Sequence, residues 1–153
     1  MHTPLPLRVR SQAQRGFTLV ELMVTVSIAG ILSGVALPSF ESQLQKARRT
    51  DVLLASALVQ ATQERFRVNA TSYGSLAEIG MPGRTASGHY TLQIVAHDAD
   101  GYELLAAAAG AQQRDAACRY MKMTAIGLNV GYASGPDATV ANPADANRKC
   151  WAR

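Results

Sequence analysis

The sequence predicts an α+β protein: a long, bent N-terminal helix packed on a small antiparallel β-sheet, with a loop at the C-terminus. Three observations predict this fold. An apolar run covers residues 17–40, and an amphipathic stretch without Gly or Pro follows over residues 41–69. Beyond residue 88 the apolar residues recur with a period of two, which is typical of strands. Together, these segments predict one helix and one sheet.

Residues 1–16 form a basic leader. They carry Arg8, Arg10 and Arg15 and no acidic residue, so the rest of the chain has 12 basic and 11 acidic residues out of totals of 15 and 11. The formal charge of +4 therefore belongs largely to the leader and does not indicate a nucleic-acid surface over the whole protein. Basic residues before an apolar run predict that the leader stays in the cytoplasm and that the rest is translocated.

The apolar run of residues 17–40 is long enough to cross a membrane. As a helix it would extend about 36 Å, compared with about 30 Å for a bilayer core. Glu21 is its only charged residue. No convincing small-residue cleavage site follows the run, so we expect cleavage before it, which would leave the run on the mature protein.

Residues 41–69 are predicted to continue this helix, with a bend near Pro38. The alternative is a separate core helix after a loop. We expect the apolar face of this half to cover the sheet. The residues of this face that lie near heptad spacing are Leu44, Ala47, Leu54, Leu58 and Ala61. Four further apolar residues make the face wider: Val52, Ala55, Val59 and Phe66.

Residues 70–153 are predicted to form a globular β head. Residues 70–88 are rich in Gly, Ser, Thr and Pro and indicate a loop. Strands are predicted over residues 89–96, 102–109 and 119–126, with a hairpin turn at residues 98–101. Residues 127–153 are predicted to be a loop anchored by Cys150.

The string from Arg15 to Met23, RGFTLVELM, closely resembles the class III signal of type IV prepilins and pseudopilins. The resemblance implies that prepilin peptidase cleaves after Gly16 and methylates the new amine of Phe17. It also implies that Glu21 pairs with the Phe17 amine of a neighbouring subunit during assembly. A Glu21 hydrated near the membrane interface is the alternative. Pro38 falls where the family places its helix-kinking proline.

Gly30 and Gly34 precede Pro38 and form a small-xxx-small pattern that permits close approach of helices. The resemblance implies that this segment softens when subunits pack into a filament. It further implies a single-pass precursor in the inner membrane with a cytoplasmic N-terminus, and later a place in a cell-surface pilus. The implied partners are prepilin peptidase, other pilin subunits and the pilus assembly machinery.

The C-terminal half resembles minor pilins of the PilE type more loosely, through NATSYGSL, the hairpin and the spacing of CRYMKMT and CW. Cys118 and Cys150 are the only cysteines, and export would expose them to oxidising conditions. A single disulfide that ties the C-terminal loop is therefore predicted, with two buried free thiols as the alternative.

No catalytic constellation, cofactor motif or metal-ligand set is evident in the sequence, so we do not predict an enzyme. Asp98 and Asp100 are better explained by a hairpin turn than by calcium. A DNA receptor for uptake is one alternative function, and a type II secretion pseudopilin is another. Basic and aromatic residues can bind phosphates and stack on bases. The candidate DNA contacts are Arg148, Lys149, Trp151 and Arg153.

Overall fold

The computed structural model describes residues 16–152. Its element order is α1 (Leu19–Arg67), β1 (Tyr90–His97), β2 (Gly101–Ala108), β3 (Tyr120–Ile126), β4 (Asn129–Gly135) and α2 (Ala144–Trp151), with two short 3-10 turns between β2 and β3. This arrangement confirms the predicted α+β class. The leader lies outside the described residues apart from Gly16.

Helix α1 is continuous through residues 40–41, so the alternative of two separate helices is wrong. The chain nevertheless divides into two compact units, with the boundary between Ser39 and Phe40. This boundary lies beside Pro38, the residue whose missing N–H removes a helical hydrogen bond. In the first unit, α1 packs against no other element, and every side chain described between Leu19 and Ser39 is exposed.

The sheet has four antiparallel strands in the order β1-β2-β3-β4. Three of them match the predicted strands, and the Asp98–Gly101 turn joins the first two. The fourth strand and α2 correct the prediction of a C-terminal loop over residues 127–153. The β4 sequence NVGYASG is rich in small residues and lacks an alternating hydrophobic pattern, so the sequence did not predict that it pairs with β3.

The core lies between one face of the sheet and residues 52–63 of α1. Its sheet side follows the predicted alternation, with Leu104, Ala106, Met121 and Met123 buried. In β1 the alternation ends early, because a register shift between Ile94 and Ala96 turns the strand's end outward.

The buried face of α1 differs from the predicted one. Val52 and Val59 are buried as expected, and they are joined by Ser56 and Gln63. Leu54 and Leu58 are 68% and 56% exposed, so they do not cover the sheet. The four buried positions follow helical spacing, and polar residues fit there because each bonds to backbone. The Ser56 hydroxyl donates to the Leu53 carbonyl.

Gln63 fixes the end of the helix to the following loop. Its side-chain amide donates to the carbonyl of Gly74 at 2.6 Å and accepts the N–H of Gly74 at 3.0 Å. A fully buried amide that satisfies both backbone groups of one residue has no unmet polar atom. This explains how a Gln replaces an apolar residue in the core.

Candidate assembly helix and head surfaces

The N-terminal turn of α1 is built around Thr18 and Glu21. The Thr18 hydroxyl accepts the N–H of Glu21 at 3.2 Å, and the Thr18 carbonyl accepts that of Leu22 at 3.1 Å. Thr18 is therefore a helix cap. Glu21 lies in the first turn, where a negative charge interacts favourably with the helix dipole. Within residues 16–152, its carboxylate has no hydrogen-bond or salt-bridge partner.

Polar side chains in the apolar run satisfy themselves within the helix. The Thr25 hydroxyl donates to the Leu22 carbonyl at 2.8 Å, and the Ser27 hydroxyl donates to the Met23 carbonyl at 2.7 Å. These bonds remove the cost of placing a hydroxyl in a medium without water. The helix contains an 18-residue window of mean hydropathy 2.0, long and apolar enough to cross a membrane. Glu21 is thus the charged side chain of this apolar run, and it makes no such bond within residues 16–152.

Gly30 and Gly34 are not required by the packing of this subunit. A Cβ atom built on either residue meets no atom within 4 Å. Their small size leaves open faces on the helix, which suits close approach by another helix.

The head contains one buried ion pair, which sequence reasoning missed. Arg49 donates from Nε and Nη2 to the two carboxylate oxygens of Asp115 at 2.7 and 2.9 Å. Both side chains are largely buried, 14% and 4% exposed. Gln112 extends the network, donating to Asp115 and to the Tyr90 hydroxyl, each at 3.0 Å. Burial raises the pKa of Tyr90 to about 12, so it remains a neutral hydroxyl.

This network ties the helix to the loop after β2 and to the C-terminus. Arg49 also donates from Nη1 to the carbonyl of Lys149 at 3.0 Å. The only sequence signal for it was a pair of arginines, Arg48 and Arg49, on an amphipathic helix, where solvent exposure is the ordinary expectation. The chain separation of 66 residues between Arg49 and Asp115 gave no local clue.

The two cysteines are joined. Cys118 and Cys150 form a disulfide and are both buried. The predicted disulfide of the fold is therefore confirmed, and the tail that it ties contains β4 and α2 instead of a simple loop. Asn142 supports the same region by donating to the Ala117 carbonyl at 2.6 Å.

The predicted DNA contacts do not form one exposed group. Trp151 is buried at 3% exposure, and its indole N–H donates to the Ala133 carbonyl at 2.9 Å. Its ring also packs on Tyr132 with centroids 4.7 Å apart. Trp151 is therefore a core residue and offers no free face to a base, which corrects that prediction. Arg148 pairs with Asp145, Lys149 is exposed, and Arg153 lies outside the described residues.

The hairpin between β1 and β2 is held by Asp98. Its carboxylate accepts the N–H groups of Asp100 and Gly101 at 2.8 and 2.9 Å. The hydrogen bonds from Gly101 and Asp100 lower the pKa of Asp98 below its ordinary value of 3.8. Gly101 is required here, because a Cβ would lie 2.2 Å from the Ala125 carbonyl. Asp98 thus has a structural role in the turn, and residues 16–152 contain no cluster suited to a metal ion.

A family model described as "Type IV minor pilin ComP, DNA uptake sequence receptor" matches residues 38–122. The chain belongs to this family. A second model, the prokaryotic N-terminal methylation motif, matches residues 11–37. The predicted resemblance to type IV pilins is thereby confirmed, and the family consists of structural pilin subunits and not of enzymes.

Similar proteins include both pilins and a secretion pseudopilin. The minor pilin is 52% identical over 40 residues to prepilin peptidase-dependent protein D of Escherichia coli (strain K12), covering 26% of the chain and 27% of that protein. It is 35% identical over 99 residues to type II secretion system core protein G of Klebsiella michiganensis, covering 61% of the chain and 66% of that protein. It is 33% identical over 88 residues to type IV major pilin protein PilE1 of Neisseria gonorrhoeae, covering 53% of the chain and 51% of that protein.

The highest identities come from short matches of 40 or 41 residues. The matched part covers only 25–27% of the length of the E. coli protein and of two Moraxella bovis pilins. The minor pilin thus matches about a quarter of the length of these relatives. The receptor-family match stops at residue 122, before Arg148 and Lys149, so it does not include those predicted DNA contacts.

Proposed function

We propose that this minor pilin is made as a prepilin, cleaved by prepilin peptidase after Gly16 and methylated on Phe17. Residues 17–40 then hold it in the inner membrane, with its N-terminus towards the cytoplasm, until the same segment enters a pilus. The observation that carries the proposal is the apolar half of α1. It is exposed along its described length, its Thr25 and Ser27 hydroxyls are satisfied internally, and Glu21 has no partner in the described chain.

Glu21 and the Phe17 amine are the proposed assembly pair. A carboxylate in an apolar medium costs roughly 2.5–3.5 kcal/mol on insertion scales unless it finds a partner. A positive amine from the neighbouring subunit would neutralise that charge and select one register between helices. Gly30 and Gly34 would let the helices approach closely, and Pro38 would mark the point where the packed segment ends.

The experiment compares Glu21→Ala with wild type in the same cells. We expect the variant to be inserted and processed normally, because removing the charge makes insertion easier. It should be depleted from sheared filaments relative to the membrane pool, and Glu41→Ala, outside the apolar run, serves as the matched control. Equal incorporation of the Glu21 variant would refute the pairing. Intact-mass analysis of the same samples checks that the mature protein begins at methylated Phe17.

DNA reception is a second candidate function, favoured by the receptor-family match over residues 38–122. The charge of the head argues for weak binding, because residues 70–153 hold seven basic and seven acidic residues. Any binding should fall steeply with salt, since release of counterions from phosphates drives it. We therefore rank the structural role first and expect little binding of duplex DNA by a single subunit at physiological salt.

Two matched variants locate any DNA surface that does exist. One replaces Arg148, Lys149 and Arg153 with Gln, and the other replaces Arg114, Arg119 and Lys122, so each removes three charges. Binding of duplex DNA to the purified protein clustered on beads is measured at several salt concentrations, because display of several copies raises avidity. Tight binding by wild type would reverse our ranking, and the variant that loses it would identify the surface.

A further inference from the structure

The first basic residues after the apolar run lie within about one turn of α1, and Glu41 precedes them. No charge occurs from residue 22 to residue 40, whereas Lys46, Arg48 and Arg49 lie close together after it. At 1.5 Å per residue, Lys46 lies only about 9 Å further along the helix than Phe40. If residues 17–40 occupy the membrane, chain connectivity alone places these cations at its surface.

Three carboxylates of this region already pair with other cations, and a fourth, Asp51, accepts a hydrogen bond from the Ser87 hydroxyl at 3.0 Å. Asp115 pairs with Arg49, Glu41 lies 3.6 Å from Arg114, and Asp145 pairs with Arg148. Three cations of this region make no salt bridge within the described part of the chain: Lys46, Arg48 and Lys149. We call these three residues the basic collar. Elsewhere in that part, Arg65, Arg67, Arg84 and Arg119 make none either.

The fold brings Lys149 to the helix from the far end of the sequence. Arg49 donates to its backbone carbonyl at 3.0 Å, across a chain separation of 100 residues. The side chains of Lys46 and Lys149 are exposed, and Arg48 is half-buried beside a shallow depression that Arg114 also lines. The collar therefore lies on and beside one short stretch of α1, where six cations outnumber four carboxylates: Lys46, Arg48, Arg49, Arg114, Arg148 and Lys149 against Glu41, Asp51, Asp115 and Asp145.

We propose that the basic collar binds the headgroups of anionic phospholipids while the subunit waits in the inner membrane. This inference rests on the proposed function, because it requires residues 17–40 to lie in the bilayer. Lys and Arg side chains at the end of a membrane helix reach the headgroup region readily. Each cation near an anionic surface favours it by about fivefold. The collar would hold the head close to the membrane before assembly.

Lipid phosphate suits this surface better than nucleic acid. Single-stranded nucleic acid is bound through aromatic faces among the cations, so the absence of such a face within the described residues of this surface argues against single strands, and duplex DNA is left to the test below. Trp151, the aromatic residue nearest to Lys149 in the chain, is buried and bonded to Ala133. Position along the helix favours the membrane independently, because the collar follows the apolar run directly.

The test uses the full chain in lipid nanodiscs made of phosphatidylcholine with a minority of phosphatidylglycerol. After mild detergent extraction, mass spectrometry measures the ratio of the two lipids that remain bound. We expect wild type to be enriched in phosphatidylglycerol, and Lys46→Gln/Arg48→Gln/Lys149→Gln to lose at least about fivefold of that enrichment. High salt should reduce the enrichment of wild type, because exposed charges are screened.

The matched control removes three other cations, one in α1 and two in the head, as Arg65→Gln/Arg84→Gln/Lys122→Gln, and should retain the enrichment. The leader is the same in all three proteins, so its arginines cancel in the comparison. Failure of wild type to insert into the discs would overturn the proposed membrane function itself. Insertion with equal enrichment in the collar variant would overturn only the lipid proposal. If the collar variant lost duplex DNA binding but kept its lipid enrichment, the collar would be assigned to nucleic acid, and the lipid proposal would again be overturned.

Discussion

At the scale of single residues, the most consequential contact is the ion pair of Arg49 and Asp115. Two charges removed from water are stable here because the guanidinium meets both carboxylate oxygens and Gln112 donates a further hydrogen bond. Removing one partner leaves the other charge buried and unpaired, which is more costly than never having had the pair. The ion pair thus fixes Arg49 of α1 against the loop after β2.

We expect Asp115→Asn to lower the free energy of unfolding by about 3–5 kcal/mol, because the Arg49 charge then stays buried without a counter-charge. Arg114→Gln is the control. It removes a pair of which both side chains are mostly exposed, 71% and 63%, and should change stability by less than about 1 kcal/mol. Urea unfolding of the full chain in detergent can be followed by the fluorescence of Trp151, the only tryptophan and a buried one. Equal losses in the two variants would contradict the assigned importance of burial.

Asp98 makes the β1–β2 hairpin sensitive to acid. Its pKa is lowered in the folded protein by the hydrogen bonds from Gly101 and Asp100, so the folded state favours the charged carboxylate. That stabilisation is fully present above the ordinary value of 3.8 and is lost as the pH falls below it. Asp98→Asn can accept the same two bonds but does not titrate.

We therefore expect wild type to be more stable than Asp98→Asn by a constant margin at neutral pH, and this margin to shrink as the pH falls below about 4. Thermal unfolding of both proteins across this range measures the difference. Parallel curves at all pH values would show that the turn does not depend on the charge of Asp98.

At the scale of elements, helix α1 shows why hydrophobic residues alone did not define its buried face. Leu54 and Leu58 are the larger apolar residues, yet Ser56 and Gln63 occupy the core beside Val52 and Val59. Of the two polar ones, Ser56 bonds to the Leu53 carbonyl in its own helix and Gln63 bonds to Gly74 in the next loop. Leu54 and Leu58 are left exposed outside this face.

Adjacent residues in α1 provide a direct test of this face. Val59→Ala should lower the free energy of unfolding by about 2 kcal/mol, because Val59 is fully buried and its loss leaves a cavity. Leu58→Ala should change it by less than about 0.5 kcal/mol, because Leu58 is more than half exposed. The same urea titration measures both. A larger loss of stability in Leu58→Ala than in Val59→Ala would instead support the buried face that the heptad spacing predicted.

At the scale of the whole molecule, the sequence predicted what depends on local pattern. The apolar run, the continuous helix, three strands and the hairpin all have periodicity or a turn signal, and the N-terminal motif identified the family. The missed features depend on long-range partners. Strand β4 exists because Gly131 and Tyr132 pair with β3, Gln63 is buried because Gly74 lies beside it, and Arg49 is buried because Asp115 folds back onto it.

The C-terminal region is held to the rest of the head by several contacts, of which only the disulfide is covalent. Trp151 donates to Ala133, Asn147 donates to the Tyr132 carbonyl at 2.7 Å, and Arg49 donates to Lys149. The disulfide closes a sequence separation of 32 residues, which contributes about 4 kcal/mol in the chain-entropy model. The noncovalent contacts should therefore preserve the native arrangement after the bond is removed, at a lower stability.

We expect Cys118→Ser/Cys150→Ser to keep its four-stranded sheet and a blue-shifted Trp151 emission at neutral pH, but to unfold at a lower urea concentration. The loss should be about 4 kcal/mol, and reduction of wild type should give nearly the same loss, because both remove one constraint on the unfolded chain. Alkylation of the unreduced protein is the control and should modify neither thiol. A variant with an unchanged midpoint would show that the noncovalent contacts alone hold the tail. A variant that loses Trp151 burial without denaturant would show that they cannot hold it, and that the disulfide is needed for α2 to dock at all.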